Sequence, residues 1–391
     1  MDGVKILDLS VALTGPLATG MLADQGATVI KVERPPFGDQ VRFVGTSAGG
    51  MTAMFQMANR GKRSIVIDLT DPRGVELVLD LAAEVDVLVH NYRPGATDRM
   101  GIGYEAVAAR NPDVVYASLS GFGPQGPYSD RRVYDSVVQA QAGLVASQTG
   151  RNDEKPVFIR QLMADKVTAY TACQAITAAL FARAQGRGGQ HLELSMLDAT
   201  IAFLFVDGAG HEVALDGDHR GPTSAAAVVT ALAVDGGHIA VTPVTDDEFH
   251  GLAAAFGIDS SDPRLATMTD RFSNLEAMHD VMVQIRDAAA ATTLADAKAA
   301  MDAHDTPYGV VLPVAEVPDD PQVVASDLFR EHEHPTMGRL REPRHPTVFA
   351  GTPVPWTDAD CPSLGQHTDA VVAEAGWGDR LDELRADGVV G

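Results

Sequence analysis

The chain is poor in cysteine and short of positive charge, and it has no long apolar run. Each shortage excludes a class of protein. Its 391 residues include only two cysteines, Cys173 and Cys361. Two thiols so far apart make neither a disulfide framework nor a zinc site. Cys173 falls within an apolar helical pattern and reads as a small core residue. The formal charge of −23 disfavours nucleic acid and anionic membrane as partners. No uncharged apolar run reaches the roughly 18 residues of a membrane span. The opening Met1-Asp2-Gly3-Val4-Lys5 carries no basic, apolar leader, so a cytoplasmic location is expected. The histidines do not cluster as metal ligands. His332 and His334, just before Pro335, read as part of a surface loop. Neither a GxSxG serine elbow nor a P-loop occurs.

What is present points to a large globular protein. Hydrophobic residues make up 45% of the chain, enough for a sizeable core, and the length suggests about two domains. The acidity is uneven. Residues 1–195 hold 19 Lys and Arg against 20 Asp and Glu, whereas the remainder holds 11 against 33. The first half is thus locally basic within an acidic protein. Arg34, Arg42, Lys62, Arg63, Arg93, Arg99, Arg131 and Arg132 are candidates to meet a polyanionic small molecule.

Strands and helices alternate along this half. A short apolar run predicts a strand at residues 4–9, and strands are expected also at 28–32, 64–69, 86–90, 114–119 and 190–195. Helices are expected at residues 16–25, from Asp71 to 83, and at 96–110, 134–147 and 165–184. The last of these shows apolar residues at helical spacing among alanines and threonines and reads as buried nearly all round. Such alternation predicts a mostly parallel sheet covered on both faces, with ligands bound beyond the carboxyl ends of its strands. After about residue 207 glycine and aspartate increase. A hairpin is expected with strands at 228–234 and 238–241, joined by Asp235-Gly236-Gly237. Helices at 246–256 and 275–303 and a strand at 308–314 follow.

Gly121-Phe122-Gly123-Pro124-Gln125-Gly126 matches GxGxxG but does not read as a dinucleotide site. Pro124 and Pro127 prevent a helix from opening where a pyrophosphate needs helical N–H groups, so no NAD is expected. Asp165, in Met163-Ala164-Asp165-Lys166, opens the long 165–184 helix. It suits a carboxylate nucleophile, and it also suits a plain N-cap. The two roles are compatible, because the helix dipole favours an ionised carboxylate there.

Several segments together resemble the family III CoA-transferases of the CaiB/BaiF type, the group containing formyl-CoA transferase and carnitine CoA-transferase. They are Lys5 to Leu9 (KILDL) with Thr14-Gly15-Pro16; Gly26 to Arg34 (GATVIKVER); Asn59 to Ser64 (NRGKRS); Asn91 to Gly95 (NYRPG); Gly121 to Tyr128 (GFGPQGPY); Gly186 to Gln190 (GRGGQ); Ser195 to Ala199 (SMLDA); and Leu364 to Thr368 (LGQHT). The resemblance implies an α/β fold with a Rossmann-like large domain, a mostly parallel sheet, a smaller α/β domain and an interlocked homodimer. It implies residues 1–207 as the first part of the large domain, 208–225 as a linker, 226–320 as the small domain and 321–391 as a return to the large domain. Asp165 falls on the family's catalytic aspartate. It would attack an acyl-CoA thioester to give an anhydride and then an aspartyl-CoA thioester, from which CoA passes to a carboxylic acid acceptor. CoA is thus a substrate, and no resident cofactor or metal is implied. Leu13, Thr14, Gly15, Tyr134 and Asp135 would border the reacting centre. Arg34 would meet the nucleotide end of CoA; Ile67, Asn91, Tyr92, Arg99 and Met100 would line its path; Arg132 would meet phosphate. Backbone N–H groups near Asp165 or residues 14–16 would stabilise the oxyanion.

Two departures stand out. The family's formyl-CoA transferase carries a glutamine where this chain has Leu13, which favours a less polar acyl group. Its glycine-rich flap is also missing. The related 2-methylacyl-CoA racemases use a His/Asp pair, and here Tyr134 replaces their histidine. A phenol with a pKa of about 10 is a poor base at neutral pH, so the transferase reading stands first. Racemisation and non-catalytic CoA binding are the alternatives. Segment 228–244 of a partner's small domain is expected to complete the acyl pocket.

Overall fold

The computed structural model describes residues 1–149, 155–216, 223–224, 226, 229–353 and 360–391. The described chain forms two compact units, Met1–Leu204 with Ser326–Gly391, and Phe205–Ala325.

The first unit is built on a six-stranded, wholly parallel sheet. Its strands in chain order are β1 (Lys5–Asp8), β2 (Thr28–Glu33), β3 (Arg63–Val66), β4 (Val87–His90), β5 (Val115–Ser120) and β6 (Gln190–Ser195). They lie side by side as β3-β2-β1-β4-β5-β6. The order reverses between β1 and β4. Both strands run the same way there, so their carboxyl ends open a crevice that no crossover fills.

Each face of the sheet has its own apolar layer. On one, Ala18, Met21 and Leu22 of α1 (Thr14–Asp24) pack with Ala169, Ala172, Cys173 and Ile176. On the other, Leu77, Val78 and Leu81 pack with Val371, Val372, Leu384 and Val390 from the end of the chain. Gly391 N–H donates to Val66 O and Asp68 N–H to Val389 O, so the C-terminus is tied to the β3 edge.

Several helices differ from expectation. The expected 165–184 helix begins two residues earlier, as Met163–Ala182 (α8 below), so Asp165 is its third residue and not its cap. Its first turn is satisfied from another element, as described below. Tyr170 and Phe181 of this helix are 59% and 68% exposed, so it is buried on one side only. The expected 134–147 helix is two, α6 (Asp135–Gln141) and α7 (Leu144–Thr149), parted by Gly143 at φ 86°. The 96–110 helix is likewise two, α4 (Ala96–Met100) and α5 (Tyr104–Ala108), parted by Gly101 at φ 82°. Between them and α1 lie α2 (Ala53–Asn59) and α3 (Pro72–Ala83), the latter capped by Asp71 as expected. His332 and His334 do not lie in a surface loop. They belong to the strand Phe329–His334, which pairs with Gly338–Pro343, and His334 is buried.

The second unit has a three-stranded antiparallel sheet of Thr230–Val234, Gly237–Val241 and Tyr308–Val310. Leu232, Ile239, Phe249, Leu252 and Ile285 fill its core. The hairpin pairs Val234 with Gly237 across Asp235-Gly236. The helical stretch after Leu275 breaks into Leu275–Ala290 and Leu294–Ala303, the second capped by Thr293. The expected strand start at Val228 lies outside the described residues, as do linker residues 217–222 and 225.

Candidate active site

Directly after β1 the chain makes a tight turn and enters α1. The turn places Leu13, Thr14 and Gly15 at the switch-point crevice, all three buried. Only glycine fits at position 15, because a Cβ there would lie 2.3 Å from both Cβ and Oγ of Ser10. Thr14 and Gly15 stand in the first helical turn, where backbone N–H groups have no intrahelical partner. Neither N–H makes a hydrogen bond among the described residues.

Asp165 meets this turn from α8. The Thr14 hydroxyl donates to Asp165 Oδ1, while Oδ2 accepts no hydrogen bond among the described residues. The Asp165 backbone N–H donates to Asp135 Oδ2 at 3.0 Å. Asp135, at the start of α6, is buried, and its Oδ1 accepts from Gln139 Nε2 at 2.6 Å. A side chain thirty residues away therefore supplies the cap that α8 lacks locally.

This geometry corrects one expectation about charge. Asp165 is not held at the ordinary carboxylate value by the helix dipole. Burial, the largest influence, pushes its pKa up to about 6; the Thr14 hydroxyl pulls it down, and the Asp135 charge adds to the rise. The group is still mostly ionised at pH 7 and above, and it is poorly solvated.

A cavity of about 280 Å³ is lined by Asn91, Tyr92, Arg93, Arg131, Arg132 and Tyr134, the residue before Asp135, with Ser120 and Gly121 at its wall. It sits beyond the carboxyl ends of β4 and β5. The Tyr134 side chain is 69% exposed and makes no hydrogen bond among the described residues. Tyr92 is half-buried against the apolar layer. Asn91 lines the cavity, but both atoms of its amide are engaged by Val11: Oδ1 accepts from Val11 N–H at 2.8 Å, and Nδ2 donates to Val11 O at 2.7 Å.

The other expected contacts lie apart from this cavity. Ile67 is 1% exposed and packed among Leu7, Leu9 and Leu77, so its side chain belongs to the core and offers no ligand surface. Met100 is half-buried beside the same core. Arg34 follows β2 and Arg99 lies on α4, both exposed.

The candidate cations divide cleanly. Arg42 is buried against Glu33, Lys62 against Asp8, and Arg63 pairs with Glu374. These three are already committed. Arg34, Arg93, Arg99, Arg131 and Arg132 form no ion pair among the described residues. Arg131 instead covers the Tyr128 ring at 3.8 Å. Sequence reasoning missed the buried ionic cluster under the turn: Asp8, Lys31, Asp39 and Lys62. Nothing in the local pattern separates such buried charges from surface ones; only Lys31 within an apolar strand hinted at it. Among the described residues, no group of three His, Cys, Asp or Glu is placed to hold a metal ion.

Comparison with known proteins agrees with this architecture. The model of "CoA-transferase family III" matches residues 1–368. The human succinyl-CoA:glutarate CoA-transferase is 32% identical over 398 residues, covering 100% of this chain and 90% of that protein. The formyl-CoA:oxalate CoA-transferase of Streptomyces avermitilis is 31% identical over 414 residues, covering 100% and 99%. Among solved structures, a CAIB/BAIF family protein from Brucella suis aligns with a TM-score of 0.80 at 32% identity, over 96% of this chain and 98% of that one. The chain belongs to the family III CoA-transferases.

Proposed function

We propose that the protein moves CoA from an acyl-CoA to a carboxylic acid by covalent catalysis on Asp165. The observation that carries this reading is the asymmetric environment of its carboxylate. Oδ1 is fixed by the Thr14 hydroxyl, while Oδ2 accepts no hydrogen bond among the described residues.

Oδ2 attacks the thioester carbonyl carbon; the C–S bond breaks, leaving a mixed anhydride and CoA thiolate. The thiolate then attacks the Asp165 acyl carbon and expels the donor's carboxylate, giving an aspartyl-CoA thioester. The acceptor carboxylate attacks that carbonyl, forming a second anhydride and freeing the thiolate once more. Attack of the thiolate on the acceptor's acyl carbon regenerates the Asp165 carboxylate. Activation is conserved throughout, so no ATP is consumed. The free N–H groups of Thr14 and Gly15 suit the role of oxyanion donors. Arg93, Arg131 and Arg132 suit the phosphates of CoA, being unpaired and at the cavity rim. Arg34 and Arg99 offer further positive charge to the nucleotide end.

The exposed Tyr170 and Phe181 of α8 form an apolar surface that a second copy of the chain would cover, in keeping with a homodimer. Among the described residues no helix is long and apolar enough to cross a membrane, and we place the reaction in the cytoplasm.

The reading is tested by incubating the protein with succinyl-CoA or acetyl-CoA and a panel of carboxylic acids, and following new acyl-CoA esters by chromatography. Transfer to at least one acceptor supports it. Absence of transfer, with deuterium entering the α-carbon of a 2-methylacyl-CoA in heavy water, would replace it with racemisation.

A further inference from the structure

The turn that carries Thr14 is held by side chains at three successive residues. Lys31 Nζ, on β2, donates to Ser10 O at 2.9 Å. The Asn91 amide, after β4, engages both N–H and C=O of Val11. Asp39 Oδ1 accepts from Ala12 N–H at 3.0 Å. Ala12 has φ 67°, a left-handed conformation that alanine rarely adopts. Just beyond, Lys62 Nζ donates to Pro16 O at 2.8 Å.

These clamps are themselves joined. Lys31 and Asp39 are paired at 2.9 Å, Lys62 and Asp8 at 2.9 Å, and all four side chains are wholly buried. Asp8 also accepts from Ser10 N–H at 2.9 Å. Burying ions costs desolvation that their attraction roughly repays, so such a cluster contributes little net stability. Its yield is geometry. A turn held at three consecutive residues in a disfavoured conformation cannot relax, and Thr14 follows it by two residues.

We propose that Lys31, Asn91 and Asp39 are positioning residues for CoA transfer: they fix the turn at residues 10–12 and so seat the Thr14 hydroxyl on Asp165 Oδ1, leaving Oδ2 free to attack. This assigns to Asn91 a role other than lining the CoA path. The inference rests on Asp165 being the nucleophile.

The test compares Lys31→Met/Asp39→Asn with Thr14→Val and with the double-plus-Thr14→Val combination. The first removes both charges together and keeps an oxygen for the Ala12 N–H. Expected is a fall in kcat of about 10- to 100-fold with KM for acyl-CoA within about twofold, as for a small misplacement of reacting groups. The midpoint of the kcat/KM pH profile moves up, as it does in Thr14→Val, because Asp165 loses a donor while Asp135, the other charged group facing it, is unchanged. Adding Thr14→Val then changes little more. If that variant does not fold, Asn91→Leu, which frees Val11 without orphaning a charge, carries the kcat and pH-midpoint readouts; Asn91 also lines the cavity, so KM is not a criterion for it. An unmoved pH midpoint, or a Thr14→Val effect retained in full in the clamp variant, overturns the proposal. Asp165→Ala separates the two levels. An active Asp165→Ala would sink the nucleophile itself; an inactive one beside wild-type-like clamp variants would sink only the clamp.

Discussion

At the scale of the residue, the account turns on Asp165. Its pKa of about 6 predicts that kcat/KM rises with pH through that value, since only the ionised carboxylate attacks. The rise is read from initial rates between pH 5 and 8. The same shift fixes a stability effect. The folded state binds this proton more tightly than the unfolded chain does. The resulting stability is complete below about pH 4 and is lost as pH climbs through about 6, so above that the charge costs about 3 kcal/mol. Asp165→Asn is therefore expected to lower kcat by at least about a thousandfold and yet to raise unfolding stability at pH 8, with the gain vanishing near pH 4. Urea titrations at the two pH values check it. Gly15→Ala places a methyl against Ser10 and is expected to cost about tenfold or more in kcat by displacing the turn, measured at saturating acyl-CoA. From sequence, Asp165 stood out by its position at a helix start and by the segments around it. Its partners did not. Thr14 lies 151 residues away and Asp135 thirty, and no local pattern encodes a contact that only the sheet topology creates.

At the scale of the element, the inner strands were legible as short apolar runs between turn residues, because a parallel strand buried on both faces leaves that mark; the edge strand β6 instead alternates exposed His191 and Glu193 with half-buried Leu192 and Leu194. Helix boundaries were less so, for physical reasons that differ case by case. Gly101 and Gly143 adopt positive φ and end helices that apolar spacing alone would continue. The start of α8 was misplaced because its first turn is satisfied by Asp135 from another helix instead of by a residue beside it. The half-exposed face of α8 was hidden by a composition rich in alanine and threonine, with apolar residues recurring at helical spacing. That face yields a prediction of its own: Tyr170→Glu/Phe181→Glu weakens self-association by at least about tenfold, seen as a shift toward monomer in sedimentation velocity.

At the scale of the whole molecule, the crevice where strand order reverses gathers the turn, Asp165 and the arginine-lined cavity into one unit of the fold. The locally basic first half pointed to a polyanionic ligand. The structure refines that reading, since three of the eight cations are spent on internal pairs and five remain available. Arg131→Ala/Arg132→Ala is expected to raise KM for acyl-CoA about tenfold with little change in kcat, and the penalty shrinks in high salt because exposed charges are screened. Steady-state kinetics at two ionic strengths read both effects.

The central claim is that CoA transfer passes through a covalent bond to Asp165, and intact-mass spectrometry addresses it most directly. The protein is mixed with succinyl-CoA and its mass recorded before and after hydroxylamine. The account predicts an added CoA-sized or acyl-sized mass that hydroxylamine removes and that Asp165→Ala never acquires. An adduct that persists in Asp165→Ala, or turnover with no adduct on rapid quenching, would contradict it.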